Sequence, residues 1–559
     1  MLHVEELKRA SDGENLVKQA TGRYYTGDLV GRKLAEDAAS AYHEAWPSGS
    51  SIRVLDPFGG DGRLAEWLIE AWCQFGFPEV QWDVTIWDID EVGFDAARLR
   101  FRCLAKSYKA NCRVRFRVLD TFSLSRRVRS NFDIVITNPP WELLKPDRRE
   151  LKSLSATDKA QYVARLRAYD EWLANRYPLS QPRRKFAGWG TNLSRVGLEV
   201  SLSLVRPGGM LGAVLPASIL ADDQTVKLRE HLFIQHSLES ATYYPAEAKL
   251  YGSADVASVA IVLATGVGPT RSLAVASYDV NKDKISNSIL ALDHEALHRS
   301  GYAIPISIGV KAIKVAQDLA RRFPSWLDLE STTGKLWAGR EIDETDIGRW
   351  LDAASSDAPL FVKGRMINRF SLLTGALQSV RKPGWSVPIS TRARRIGWRD
   401  VSRPSQKRRM IATLIEPGFV AGNSVGVAYF KDLSERPLLA LLGVVNSTCF
   451  ELQLRAHLAT SHVSLSSLRK VAVPGLAQLW GDSTLVDLVK TALHALDSEA
   501  VEIDAYVARR VYRLSEKEYR VVLESFNGFS IDERRKHLRC YRSWVVSESR
   551  DGSAASGEA

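Results

Sequence analysis

An asparagine followed by two prolines ends a run of apolar residues in this sequence. Residues 132–137, Phe-Asp-Ile-Val-Ile-Thr, are typical of a buried parallel strand, and Pro139 and Pro140 end it because proline lacks a backbone donor and fixes φ. The side chain of Asn138 and the carbonyl of Pro139 remain as hydrogen-bond acceptors at the carboxyl end of that strand. Two acceptors beside the aromatic ring of Trp141 suit an amino group, on a base or on a side chain, as their ligand. Taken alone, the motif is equally typical of a strand that merely ends in a proline-rich turn.

Three further predicted strands end in acidic residues. Strand 52–55 ends in Asp56, strand 82–87 ends in Asp88 and Asp90, and strand 114–119 ends in Asp120. Because the carboxyl ends of parallel strands meet at one edge of a sheet, these acids and Asn138 predict a single crevice. There Asp56 can accept a hydrogen bond from a ligand ammonium group, and an acid at the tip of the second strand commonly binds ribose hydroxyls.

A glycine turn separates the first of these strands from a predicted helix over residues 63–72. Gly60 and Gly62 in that turn allow a ligand to approach the backbone closely. The spacing is not Gly-x-Gly-x-x-Gly and no Gly-Lys-Ser/Thr follows, which disfavours a dinucleotide and a phosphate-binding loop. The order of strand, turn and helix predicts a doubly wound α/β sheet, a pattern that helix bundles and solenoids do not produce.

Together these motifs resemble those of the amino-methylating, S-adenosylmethionine-dependent DNA methyltransferases, specifically the gamma-ordered TaqI-type group of restriction-modification or phage-defence systems. The resemblance covers most of the chain. It implies an α/β fold, in which a doubly wound Rossmann-like methyltransferase domain is followed by an α+β target-recognition domain and a C-terminal helical segment. The boundaries we predict are 1–280 for the methyltransferase domain, 281–300 for a linker, 301–480 for target recognition, 481–549 for the helical region and 550–559 for a disordered tail.

The resemblance also assigns roles to individual residues. Residues 21–26, Thr-Gly-Arg-Tyr-Tyr-Thr, look like the family's first motif, Gly-x-Tyr-Tyr-Thr-Pro, with Gly27 in place of the proline. The residues that match cofactor-binding positions are Thr26, Asp56, Gly60, Gly62, Asp88 and Asp120. The residues that match the catalytic motif are Asn138, Pro139, Pro140 and Trp141, the last at a position that the family fills with Tyr or Phe. Residues 222–225 hold no aromatic at the place where family members often stack on the flipped base, so that role stays unassigned.

The implied reaction is transfer of a methyl group from S-adenosylmethionine to the N6 amine of an adenine flipped out of double-stranded DNA. Accepting both amine hydrogens, through Asn138 and Pro139, localises electron density on the nitrogen, and Trp141 can stack on the base. No metal and no covalent nucleophile is required. One alternative is a protein-glutamine N5 methyltransferase, which shares the Asn-Pro-Pro-aromatic motif but is much shorter. The other is a non-catalytic DNA-recognition subunit.

Charge points to a polyanionic partner. The chain of 559 residues has a formal net charge of +11, which favours DNA, and a separate restriction or defence subunit is a possible second partner. Within residues 381–410, ten are Lys or Arg against one acid, Asp400, with Trp385 and Trp398 interleaved. This basic stretch predicts phosphate contacts, and a solvated loop is its alternative. The predicted DNA-binding residues are Arg392, Arg394, Arg395, Arg399, Lys407 and Arg408.

Cysteine usage and hydropathy suggest the compartment. The five cysteines are odd in number and form no Cys-x-x-Cys pair, which favours a reduced, cytoplasmic protein without structural zinc. No apolar run approaches the roughly 20 residues that a membrane helix needs, so we expect no membrane association.

Overall fold

The structure is a computed structural model. It describes residues 26–45, 51–124, 131–146, 151, 154–183, 185, 190–251, 256–355, 358–375, 377–403, 406–458, 461–495 and 499–554, except the side chains of 296, 299 and 545–554. These residues form two compact units, Met1–Ser307 and Ile308–Ala559. Residues 21–25 of the predicted first motif lie outside the described residues.

One nine-stranded sheet organises the first unit. Its strands are β1 (Ser51–Asp56), β2 (Gln81–Asp88), β3 (Asn111–Val118), β4 (Phe132–Thr137), β5 (Val205–Pro216), β6 (Ser237–Tyr244), β7 (Ser258–Ala264), β8 (Ser272–Tyr278) and β9 (Lys284–Ala291). They lie in the order β3-β2-β1-β4-β5-β7-β6-β8-β9. The first five strands pair in parallel, whereas β7 runs antiparallel to both β5 and β6. The strand order reverses between β1 and β4, and a crevice forms at such a switch point.

Helices connect and cover these strands. They are α1 (Asp28–Ala45), α2 (Arg63–Gln74), α3 (Phe94–Tyr108), α4 (Ala156–Arg176), α5 (Leu193–Leu204), α6 (Val226–Gln235) and α7 (His294–Arg299). Helix α2 forms because its apolar residues recur on one face. Leu64, Trp67 and Leu68 of that face are buried. That face packs into a core with residues of one side of the sheet, including Val54 and Ile86. Burial of this apolar surface fixes the helices against the strands.

A strand lies where the sequence predicts a linker. Within residues 281–300, β9 pairs antiparallel with β8, and α7 follows it. The stretch resembles a linker because β9 is a largely exposed edge strand and is therefore rich in polar residues. The compact first unit accordingly extends to Ser307.

Small sheets and helices build the second unit. The strands are β10 (Leu336–Gly339), β11 (Leu351–Ala353), β12 (Leu360–Val362), β13 (Ile367–Asn368), β14 (Ser371–Leu372), β15 (Gln378–Val380), β16 (Arg395–Arg399), β17 (Ala412–Ile415), β18 (Phe419–Ala421) and β19 (Val425–Phe430). One four-stranded sheet has the order β10-β19-β16-β17, another has β11-β15-β12-β18, and β13 pairs with β14. The helices are α8 (Val310–Arg322), α9 (Trp326–Thr333), α10 (Glu344–Ile347), α11 (Glu435–Val445), α12 (Thr448–Arg455), α13 (Leu465–Leu468), α14 (Leu476–Gly481), α15 (Ser483–Ala495), α16 (Val501–Tyr506), α17 (Glu516–Glu524) and α18 (Ile531–Ala554).

The α/β fold with a helical C-terminus is confirmed. Helix α18 continues through residues 550–554, where the sequence predicts a disordered tail, and residues 555–559 lie outside the described residues. Among the helices that the structure describes, none alone is long and apolar enough to cross a bilayer; α11 and α12 meet that test only as a pair bent by 63°.

Candidate active site

Asp56 ends β1 in the interior of the crevice. Its side chain is 1% exposed, and the backbone N–H of Phe58 donates to Asp56 Oδ1 over 3.2 Å. Burial raises the pKa of this carboxyl to about 7, and the nearby charges of Asp88 and Asp61 act in the same direction. The Asp56 carboxyl therefore titrates near neutral pH, and a cationic ligand beside it would favour the carboxylate over the protonated acid.

The glycine turn after β1 is bound to the tip of β2. Gly60 and Gly62 have φ values of 50° and 76°, which favour glycine. The N–H of Gly60 donates to Asp88 Oδ2 over 2.8 Å, and the N–H of Asp90 donates to Asp88 Oδ1 over 3.2 Å. A Cβ on Gly62 would lie 2.8 Å from Ile86 Cδ1. Gly62 is therefore required where the turn packs against β2 and α3, and neither glycine adds a side chain to the turn.

The loop after β3 reaches the same turn. Asp120 accepts from the N–H of Phe122 over 3.0 Å and from Ser123 Oγ over 2.6 Å, and so caps a short 3₁₀ helix. Thr121 Oγ1 donates to the carbonyl of Pro57, which follows Asp56 directly. The structure therefore brings together Asp56, Asp88 and Asp120, three of the four acids that the sequence places at strand ends.

Asn138 lies at the carboxyl end of β4, next to β1 in the sheet. Its Nδ2 donates to Thr26 Oγ1 over 3.0 Å, so the structure joins a predicted cofactor residue to the predicted catalytic one. Pro139 is buried, and a Cβ on Gly197 of α5 would lie 2.3 Å from Pro139 Cβ. The close approach of α5 therefore fixes the position of the prolines and, with them, of Asn138.

Trp141 contacts Tyr251, an aromatic residue that no motif in the sequence marks as part of the site. The rings of Trp141 and Tyr251 lie 4.6 Å apart at 63°, and Tyr251 Oη donates to Ser258 Oγ over 2.9 Å. Tyr251 is buried and precedes β7. No local pattern marks it, because the residues that make it part of the site lie more than a hundred positions away in the sequence.

Two buried arginines hold the loop that follows β5. Arg229 donates to the carbonyls of Ile219 and Gly301 over 3.2 and 3.0 Å, and Arg195 Nη1 donates to the carbonyl of Gln224 over 3.0 Å. Burial lowers the pKa of each guanidinium to about 10. Residues 217–225 are thus fixed by hydrogen bonds to their main chain, at the same edge of the sheet as Asn138.

Part of the basic stretch of the second unit is internal, which corrects part of the predicted DNA-binding set. The side chain of Arg395 is 0% exposed and its Nε lies 2.7 Å from Glu341 Oε1. Arg408 is paired with two fully buried acids, Glu451 at 2.9 Å and Asp504 at 3.4 Å. These two arginines cannot contact phosphates, because their side chains lie inside the unit and their charges are already paired with buried carboxylates.

The other four predicted residues differ in exposure. Arg399 donates to the carbonyls of Gly364 and Ile367 over 3.2 and 2.6 Å. Arg394 is exposed but pairs with Glu416 at 2.8 Å and with Glu435. Lys407 is exposed and pairs with Glu533, whereas Arg392 is exposed and has no ion pair among the described residues. The exposed cations of the predicted set are therefore Arg392, Arg394 and Lys407.

Comparisons with known proteins place the fold. No family model matches the chain. The Type II methyltransferase M.VspI of Vibrio sp. (strain 343) is 32% identical over 114 residues, which are 20% of this chain and 26% of that protein. The match therefore spans about a quarter of the relative's length.

Solved structures also resemble this chain. The Type IIL restriction-modification enzyme MmeI, in complex with DNA, has a TM-score of 0.53 and 10% identity, covering 93% of this chain and 79% of that one. The type IIG restriction endonuclease BpuSI has a TM-score of 0.44 and 14% identity, covering 94% and 66%. The likeness to MmeI shows a shared fold.

The buried pair of Arg395 and Glu341 generates a stability prediction. Glu341→Ala should destabilise the protein by about 3–5 kcal/mol, because it leaves a buried guanidinium without its carboxylate. Glu416→Ala removes an exposed partner of Arg394 and should cost less than about 1 kcal/mol. Urea unfolding of both variants measures the difference, and equal midpoints would contradict a structural role for Arg395.

Proposed function

We propose that this chain is an S-adenosylmethionine-dependent DNA methyltransferase that methylates the N6 amine of a flipped adenine. The observation that carries the proposal is the position of Asn138-Pro139-Pro140 at the end of β4, in the crevice that Asp56, Asp88 and Asp120 line. Similarity to a Type II methyltransferase and the fold shared with MmeI support the same class of enzyme.

The crevice suits the proposed cofactor. Asp56 would accept from the methionine ammonium group, Asp88 from the ribose hydroxyls, and Asp120 from the adenine amine. Although Asp88 and Asp120 already accept backbone and hydroxyl hydrogens, each carboxylate has about four lone-pair sites. The positive φ of Gly60 and Gly62 favours glycine at both positions, so neither adds a side chain to the turn between β1 and α2. When bound, S-adenosylmethionine supplies an electrophilic methyl group.

Asn138 would act as an oriented acceptor for the target amine. Because its Nδ2 donates to Thr26, its Oδ1 faces the other way. That oxygen and the carbonyl of Pro139 can accept the two hydrogens of an exocyclic amine and hold its nitrogen toward the methyl donor. Trp141 and Tyr251 would supply the aromatic side of the base pocket.

A methyl-transfer assay tests the substrate class. Tritiated S-adenosylmethionine is incubated with the protein and with either double-stranded DNA or a glutamine-containing protein substrate. The proposal expects label in the N6 of adenine. Label in protein alone would favour the glutamine methyltransferase, and DNA binding without any label would favour a recognition subunit.

Replacing Asn138 tests the mechanism. Asn138→Ala should keep cofactor affinity and lower kcat by about a hundredfold or more, because the lost acceptor acts mainly as charge develops on the amine. Asn131→Ala is the matched control, since Asn131 is an exposed asparagine at the opposite end of β4 and should leave kcat unchanged. Calorimetry measures cofactor binding. Full activity of Asn138→Ala would contradict the proposed mechanism.

The pKa of Asp56 predicts a pH-dependent affinity for the cofactor. Because burial raises this pKa to about 7, the free protein carries a proton on Asp56 below that pH, and binding an ammonium group must release it. Affinity should therefore fall about tenfold for each pH unit below about 7 and level off above it. Calorimetry from about pH 5.5 to about pH 8 measures the slope.

Two variants test this assignment. Asp56→Asn should bind the cofactor weakly, and its affinity should not change with pH, since an amide does not titrate. Asp133→Asn should keep the slope, because the pKa of Asp133 lies below its ordinary value: hydrogen bonds from Arg53 and Arg206 outweigh the opposing effect of burial. A slope that survives in Asp56→Asn would assign the titration to another group.

We further propose that residues 301–480 read the DNA, with Arg392, Arg394 and Lys407 as phosphate-binding residues. Neutralising these three should weaken DNA binding and flatten its dependence on salt. In a plot of the log of the DNA-binding constant against the log of the salt concentration, the steepness should fall by about 0.9 for each phosphate contact that is lost. Neutralising the three exposed arginines of β3, Arg113, Arg115 and Arg117, removes the same charge elsewhere and is the control. Equal effects of both triple variants would show that only the net charge matters.

A further inference from the structure

The loop that follows the Asn-Pro-Pro motif is paired with a second segment of the chain. The N–H of Leu144 donates to the carbonyl of Thr191 over 2.9 Å, and the N–H of Leu193 donates to the carbonyl of Glu142 over 2.7 Å. Between them, Leu143 and Asn192 form an antiparallel bridge. The position of the loop therefore depends on the position of residues 191–193.

Helix α5 ties the same segment to the prolines. Asn192 Oδ1 accepts from the N–H of Ser194 over 3.0 Å and caps the start of this helix. Five residues later, Gly197 lies against Pro139, so closely that a Cβ would be 2.3 Å from Pro139 Cβ. A shift of residues 191–193 would therefore displace Asn138 in two ways, through the paired loop that follows it and through the contact of helix α5 with Pro139.

A buried carboxylate fixes this segment. Asp170, on α4, is 1% exposed, and its Oδ1 accepts from the N–H of Thr191 over 3.1 Å. Its Oδ2 accepts from Lys185 Nζ over 2.8 Å. Although burial raises the pKa of Asp170, the hydrogen bonds from Lys185 and Thr191 outweigh it, so the pKa lies below its ordinary value and the group is a carboxylate at neutral pH.

Thr191 transmits this anchoring to the loop. Its backbone N–H is bound to Asp170 and its carbonyl to Leu144, so one residue connects the carboxylate and the loop. Its hydroxyl also donates to Gln181 Oε1 over 3.1 Å. The side chain is 0% exposed, which keeps water from replacing these bonds.

We infer that Asp170 is a positioning residue for the methyl-transfer reaction. Through Thr191 it holds the loop after Pro140 in the place where Asn138 and Trp141 face the crevice. It does not touch the cofactor or the amine. The inference rests on the proposed function and adds to it a residue from a helix outside the strand-end motifs.

The experiment compares three variants by kcat, cofactor affinity and hydrogen exchange. Asp170→Ala should lower kcat by about tenfold to a hundredfold through misplacement of the reacting groups, with cofactor affinity unchanged. Asp170→Asn should recover most of the activity, because the amide oxygen of the asparagine can still accept from the N–H of Thr191. Lys185, whose side chain is 37% exposed, can turn to solvent. Exchange of the amides in residues 141–146 should rise in Asp170→Ala only.

Asp133→Ala is the matched control. Asp133 is a similarly buried acid at the amino end of β4, paired with Arg53 at 3.1 Å and Arg206 at 2.5 Å. Its loss should reduce thermal stability without changing kcat or the exchange of residues 141–146. A merely structural Asp170 would behave in the same way.

The outcomes separate this inference from the proposed function. Unchanged kcat in Asp170→Ala, an equal loss in Asp133→Ala, or no recovery in Asp170→Asn would each overturn the positioning role. Should the wild-type protein transfer no methyl group, the proposed function fails, and hydrogen exchange still decides the role of Asp170. Unchanged exchange at residues 141–146 in Asp170→Ala would then refute it.

Discussion

Parallel pairing of β1 with its two neighbours is the constraint on which the site depends. β1 lies between β2 and β4, in register from Ser51 opposite Gln81 to Asp56 opposite Ile86, and Val54 faces Ile134 on the other side. Because all three strands run in one direction, their last residues reach the same edge of the sheet. Asp56, Asp88 and Asn138 are neighbours for this reason and not because of any closeness in sequence. The hydrogen bonds of Gly60 and Thr121 then connect the loops that the pairing has brought together.

Much of this crevice could be predicted from the sequence because its signals are local. A β-branched run followed by an acid, a glycine turn or an Asn-Pro-Pro motif marks a strand end within a few residues, and parallel pairing supplies the rest. Tyr251 and Asp170 carry no such signal, since their roles come from packing and hydrogen bonds to residues that are distant in the sequence, Trp141 and Thr191 respectively. The edge strand β9 was hidden for the opposite reason: a strand exposed on most of its surface has the polar composition of a linker.

The second unit shows why charge composition misleads. A count of Lys and Arg treats each cation as accessible to a partner, whereas several arginines of this unit lie in its interior and pair with buried acids. Arg369 and Arg408 both reach the fully buried Asp504, which also accepts from the N–H of Thr448. Their attraction holds the pKa of Asp504 well below its ordinary value in spite of burial. Such pairs bind the turn between β13 and β14 and the segment before β17 to helix α16, and they leave fewer cations on the surface than the 76 Lys and Arg of the sequence suggest.

The loop after β5 owes its shape to Arg195 and Arg229, which bind its carbonyls from the interior. Because these hydrogen bonds go to main-chain atoms, they form whatever side chain the loop residue carries. In evolutionary terms, the shape of the loop and the side chains on it are separated here: an exposed side chain can be exchanged while Arg195 and Arg229 preserve the backbone. Variation among relatives should accordingly concentrate on such outward positions, and engineering of the crevice can begin with them.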